Sequence, residues 1–189
     1  MIEEKVKKFM NVMNDIEYGF KDEKGNNIID TNLQKWENKF DYFYYLQTPE
    51  ELLKTKCGVC WDQVELERNL FINENISVET FFIYILDGDK LPSHTFLTYE
   101  DNNKYYWFEH SWTKYRGIHE YNSKLNLLLD VIEKFKDEHN KVNKGAVLYL
   151  YKYKKPKEHI KCNEFYKYIQ TQHKITSILL SVKEICLDM

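Results

Sequence analysis

Three residues of this chain have the types and spacing that nucleophilic catalysis requires: Cys60, His94 and Glu109. The segment Lys56-Cys-Gly-Val-Cys-Trp-Asp-Gln-Val-Glu-Leu66 sets Cys60 just after a glycine-containing bend and in the first turn of a helix predicted from Val59. Unpaired backbone N–H groups and the helix dipole favour the thiolate over the thiol there, and the thiolate is the nucleophile. Gly58 leaves room for a substrate backbone beside the sulfur, and the N–H of Cys60 could donate to an oxyanion forming on the attacked carbonyl. The plain alternative is a small buried thiol with a packing role.

A thiolate needs a base that accepts its proton and later protonates a leaving amine. The candidates are His94, His110, His119, His139, His159 and His173, and location separates them. His94 opens a β-favouring run after Pro92-Ser93, and Tyr105 to Trp112 is a second such run beyond Glu-Asp-Asn-Asn-Lys, the chemistry of a hairpin turn. Folding about the midpoint of Asp101 and Asn102 pairs residues whose numbers sum to 203, which sets His94 directly opposite Glu109. A slip of one residue would turn Glu109 away and bring His110 round. A carboxylate beside the imidazole fixes its tautomer and stabilises the imidazolium. Gln47 and Trp36 could supply a second oxyanion donor, although packing or surface roles suit both. Phe96, Tyr105 and Trp107 fall on the face of the pair, as cleft wall or as core.

Cys57-Gly-Val-Cys60 is also a C-x-x-C at a helix start, the layout of a thiol-disulfide oxidoreductase. That chemistry calls for a strand immediately before the motif, where Pro49 to Lys54 reads as helical. Zinc held by Cys57, Cys60, His94 and one more ligand is a third possibility, with no second paired cluster to complete it, since Cys162 and Cys186 are far apart.

The elements that must position these residues follow from periodicity. Ile2, Val6, Phe9, Met10, Met13 and Ile16 have helical spacing, with Gly19 as the stop. Thr48-Pro49-Glu50-Glu51 opens a short helix, Thr48 as N-cap and Pro49 at its first position. Trp61, Val64, Leu66, Leu70 and Phe71 form the stripe of the helix that carries Cys60. Thr80 to Leu86 reads as a buried strand, Leu125 to Phe135 as an amphipathic helix, and Ala146 to Tyr153 as a strand closed by Pro156. Helical character returns around Phe165, Tyr168 and Ile169, while Phe40 to Leu46 fits either a strand or a helix end. Helices followed by an antiparallel sheet with returning helices make an α+β fold. No repeat or low-complexity linker divides the 189 residues, so one domain is expected, with a core over about 48–153, an N-terminal helix and a C-terminal helical extension.

The order of a helix-start cysteine in GVCWDQVEL, a strand histidine in SHTFL and an acid on the next strand in YYWFEHSW resembles the transglutaminase-like superfamily of papain-related cysteine enzymes. The resemblance covers about Thr48 to Trp112, with Ala146 to Tyr153 in weaker support. It implies Cys60 as nucleophile, His94 as general base and acid, Glu109 as orienting acid, and a fold in which the cysteine helix packs on an antiparallel sheet. Most members have aspartate at the third place; glutamate here suits a slightly wider separation. The implied reaction is acyl transfer from an amide or peptide through a thioester, resolved by water or by an amine. A catalytically silent binding domain on the same fold is the rival from another class.

The bulk properties narrow the partners. Charged residues make up 30% of the chain with both signs interspersed and a net charge of −3, so nothing draws it to nucleic acid. The acidic, amphipathic start lacks the features of a secretory signal, and no run is long and apolar enough for a membrane span. Four cysteines without an export signal indicate thiols in a reducing, cytoplasmic setting. Phosphate-cradling glycine motifs are absent, and no cofactor is expected.

Overall fold

The N-terminal periodicity produces helix α1 (Ile2–Met13), which buries Val6, Phe9 and Met13. The computed structural model describes residues 2–20, 27, 40, 44–88 and 91–180. Trp36, Cys186 and Phe40's neighbours 41–43 lie outside them; Tyr45 makes an isolated antiparallel bridge to Lys161. Helix α2 (Pro49–Thr55) begins with a capping box: the Glu51 N–H donates to Thr48 Oγ1 at 3.2 Å, and the Thr48 N–H to Glu51 Oε2 at 2.8 Å. Lys56 ends α2 in the left-handed region at φ 55°, its N–H donating to the Leu52 carbonyl.

That turn delivers a two-residue strand β2 (Cys57–Gly58), which pairs in parallel with β1 (Glu17–Tyr18), Tyr18 beside Gly58. Helix α3 (Cys60–Asn73) follows at once. The expected apolar stripe of α3 understates its burial, for every residue from Cys60 to Arg68 is buried. Several of its polar side chains are tied off locally. Glu65 pairs with Arg68 at 2.9 Å, Arg68 Nη2 donates to Thr80 Oγ1 at 2.5 Å, and Thr80 donates to the Tyr153 carbonyl at 2.8 Å.

A six-stranded antiparallel sheet backs this helix. Its strands are β3 (Val78–Leu86), β4 (Ser93–Asp101), β5 (Lys104–Glu109), β6 (Gly117–Tyr121), β7 (Val147–Tyr153) and β8 (His173–Leu179), in the order β6-β5-β4-β3-β7-β8. Central β3 is buried on both faces, which explains its near-continuous apolar run. Phe82 and Tyr84 join the core of α1, α2, α3 and the C-terminal helix α5 (Cys162–Gln170). Phe81, Ile83 and Ile85 join the opposite core, with Phe96, Trp107 and the Leu127, Val131 and Phe135 stripe of α4 (Lys124–Glu138). Phe96 and Trp107 are therefore core residues and line no cleft, at 1% and 0% exposed. The fold is α+β, as the sequence indicates.

The β4–β5 hairpin differs from expectation in register. Leu97 pairs with Phe108 and Asp101 with Lys104, so paired numbers sum to 205 and not 203. The turn is Asn102-Asn103, both at positive φ (51° and 58°). Two adjacent positive-φ residues make the primed turn that matches strand twist, and asparagine is among the few non-glycine residues that adopt such φ values readily. The shift is an even number of residues, so every side chain keeps its face. Strand β5 also stops at Glu109, short of Trp112, because the Trp112 N–H donates to Glu109 Oε1 at 2.7 Å and turns the chain.

Candidate active site

The site is built where the β4–β5 ladder ends. Its last pair is Leu97 with Phe108, which leaves His94 and Glu109 beyond the regular hydrogen bonds, at the sheet end that faces the start of α3. In this register Glu109 faces Phe96, and His94 is its diagonal neighbour on the same face. Diagonal partners stand further apart than opposed ones, and the extra methylene of glutamate spans that gap. His94 Nε2 and Glu109 Oε2 meet at 2.8 Å, with both residues buried.

Glu109 is held from several sides. Its Oε2 also accepts from Trp107 Nε1 at 3.2 Å, and its Oε1 accepts from Ser111 Oγ at 3.1 Å and the Trp112 N–H at 2.7 Å. Burial opposes its charge, but His94 and these donors outweigh burial and hold the carboxyl below its usual range. For His94, burial disfavours the imidazolium, yet the Glu109 carboxylate and hydrogen bonds to Cys60 and Glu109 push it up to about 10. With Nε2 committed to Glu109, the bond to the Cys60 thiol falls to Nδ1. The Trp112 ring meets the imidazole edge to face at 5.0 Å, and its Nε1 donates to Glu138 Oε2 at 2.7 Å. Trp112 thus fixes the imidazole with its ring and Glu109 with its backbone.

Cys60 occupies the first turn of α3, and only 4% of it is exposed. The loop before it is supported by polar side chains that the sequence does not single out. Asp62 Oδ2 accepts from the Val59 N–H at 2.9 Å, and its Oδ1 accepts from the Gln47 N–H at 2.9 Å and Tyr44 at 3.0 Å. Burial pushes the Asp62 carboxyl up to about 7 against these donors. Gln47 braces the same loop: its Nε2 donates to the Cys57 carbonyl at 2.9 Å and its Oε1 accepts from Thr55 at 2.7 Å. Trp36, the other candidate oxyanion donor, lies outside the described residues.

Gly58 has a different reason to be glycine from the one its position suggests. A Cβ there would stand 2.6 Å from Leu52 Cδ1 and 2.8 Å from Asp62 Cβ, so it permits close packing of α2 on the loop. The residue nearest the thiol that sequence reasoning misses is Tyr18. Its ring is 39% exposed, but its hydroxyl end is buried and hydrogen-bonds Cys60. Burial and then the Cys60 and Asp62 charges push the phenol well up, so it remains a donor. Only the β1–β2 pairing brings Tyr18 here, and no local pattern around it signals that.

The other histidines serve elsewhere. His110 lies on the opposite face of β5, its Nδ1 2.7 Å from Gln63 Oε1. His119 donates to the Tyr115 carbonyl at 2.7 Å, and His159 pairs with Glu51 at 2.9 Å. Cys57, Cys60 and Cys162 are thiols, all buried. Among the described residues no helix is long and apolar enough to cross a membrane.

The arrangement orders a sulfur, an imidazole and a carboxylate in series, with a phenolic donor beside the sulfur. Comparison with known families finds a match over residues 3–136, which contain all four groups, to a model described as a transglutaminase-like domain. No curated protein matches the chain.

Proposed function

The chain belongs to the transglutaminase-like domain family, and from that premise we propose that it catalyses cysteine-dependent acyl transfer on an amide or peptide substrate. The observation that carries this reading is His94, bonded through one nitrogen to buried Glu109 and through the other to Cys60. Cys60 Sγ, its proton already held by His94, attacks the carbonyl carbon as the thiolate. The Cys60 N–H and the Tyr18 hydroxyl donate to the oxygen that gains charge. Collapse breaks the C–N bond, His94 returns the proton to the departing amine, and a thioester remains. Water or a second amine, deprotonated by His94, then attacks the thioester, the sulfur leaves as thiolate, and His94 keeps the proton, which restores the starting pair. Both outcomes use the same residues; hydrolysis is preferred because water needs no acceptor site. A reducing, cytoplasmic setting that preserves the thiol belongs to this proposal.

The burial of Cys60 favours a second reading, a binding domain that has kept the constellation without its turnover. Iodoacetamide alkylation of Cys60, followed by mass spectrometry across pH in the wild type and in His94→Ala, separates the two. Catalysis requires alkylation that slows when His94 is lost, together with an acyl-enzyme adduct on Cys60 when a panel of peptide amides and esters is offered. A thiol indifferent to His94, or a Cys60→Ala protein with full activity, sinks the catalytic reading.

A further inference from the structure

Behind the nucleophile, in the seam between α3 and the sheet, lies a second polar cluster that the acyl-transfer chemistry does not use. Continuing the β4–β5 register two steps past its last pair sets Thr95 opposite His110. Thr95 alternates with Leu97 and His110 with Phe108, whose side chains join the core on the α3 side. Gln63 and Glu67 are one turn apart on α3, and Gln63 touches His110. The charge of Glu67 is felt by Glu109, His94 and Cys60, which puts it at the same end of the seam. All four are buried, with Glu67 2%, Thr95 0% and His110 1% exposed.

Three atoms of this cluster make no hydrogen bond among the described residues: Glu67 Oε2, Thr95 Oγ1 and His110 Nε2. An unsatisfied buried polar atom is costly, and three in one seam point to a shared ligand. The donor and acceptor inventory identifies it. Gln63 Nε2 donates to the Gly58 carbonyl at 2.8 Å, so Gln63 Oε1 faces His110 and Nδ1 must carry the proton. His110 Nε2 is then a bare acceptor, in keeping with an imidazole that burial and Arg116 push down to about 4. Glu67 is pushed well up, by burial first and Glu109 next, and as a neutral acid it is a donor. The Thr95 hydroxyl can act either way. One acceptor, one donor and one hydroxyl are the partners that a single water satisfies.

We propose that Glu67, Thr95 and His110 form an internal water-binding site, and that this water, through His110 and Gln63, anchors the Gly58 carbonyl and so positions the loop that presents Cys60. Glu67, Thr95, His110 and Gln63 are positioning residues, since none of them touches the reacting atoms.

Diffraction from crystals of the full chain at about 1.2 Å, combined with alkylation kinetics, tests this. The expected result is one ordered water within hydrogen-bond distance of all three atoms. Thr95→Val removes a water partner at constant shape and is expected to slow Cys60 alkylation roughly two- to tenfold, and Thr95→Ser, which restores the hydroxyl, is expected to recover the rate. A dry seam, or direct contacts among the three side chains, overturns the site. A folded Thr95→Val protein with the wild-type alkylation profile overturns the anchoring role. Should Thr95→Val fail to fold, the wild-type density still decides the water. Neither readout needs turnover, so a catalytically silent chain would leave this test intact.

Discussion

Among single side chains, Glu109 and Tyr18 carry the sharpest consequences. The Glu109 charge is what overcomes burial at His94, so Glu109→Gln should lower the imidazolium from about 10 and move the alkaline limb of a kcat/KM profile to lower pH. Turnover should fall by roughly 10²- to 10⁴-fold; an unmoved alkaline limb would remove Glu109 from its orienting role. Tyr18→Phe deletes a donor beside the sulfur and should lower kcat by about 10²- to 10³-fold while leaving KM and thermal stability near wild type. A Tyr18→Phe protein that turns over normally would leave the hydroxyl as cover for the thiol and nothing more. Cys60, His94 and Glu109 were legible because each stands at a recognisable place, a helix start, a strand head and a strand end. Tyr18 was not, since a two-residue parallel pairing with Cys57–Gly58 leaves no periodic trace.

Elements were legible where burial imposes a period. The stripe of α1, the Thr48 N-cap of α2 and the apolar run of β3 each announce themselves in the chain. Helix α4 is legible as a helix but not in its buried face, since Leu125 and Leu129 of the expected stripe are exposed and Leu127 and Val131 are buried instead. Strand β8 does not announce itself, because it is an edge strand with mostly exposed residues, including Ile175 and Leu179. The register expected from the turn residues lies two residues from the observed one, and the pairing of faces is the same in both because the side-chain period is two. At Gly58 the demand for glycine comes from packing and not from substrate access. The glycine hydrogen sits under Leu52 and Asp62, so Gly58→Ala should cost about 1–3 kcal/mol through overpacking, read by denaturant melts. Unchanged stability would mean that α2 yields freely, and the account of close packing would fail.

For the molecule as a whole, buried charge sets a pH profile. Asp62 keeps its proton in the folded state up to about 7, against an ordinary 3.8, and His94 keeps its proton up to about 10, against 6.5. Over both windows the folded state binds more protons than the unfolded one, so stability falls as pH rises. The His94 contribution is whole below 6.5 and is lost on the way to about 10. Glu109 works in the other direction: its depressed carboxyl contributes above 4.5 and is lost as pH falls. Melting temperature should therefore peak in mildly acid solution and decline steadily through pH 9; a rise from acid to alkaline buffer would contradict the buried pairs. The end of the β4–β5 ladder has one more consequence, in the order of synthesis. The ribosome releases Cys60 before His94 and His94 before Glu109, and the sulfur has no ordered base until the hairpin has closed. A growing or truncated chain thus presents the cysteine before the His94–Glu109 pair exists beside it, so the thiol reactivity proposed above should arrive only with the last strand of the hairpin.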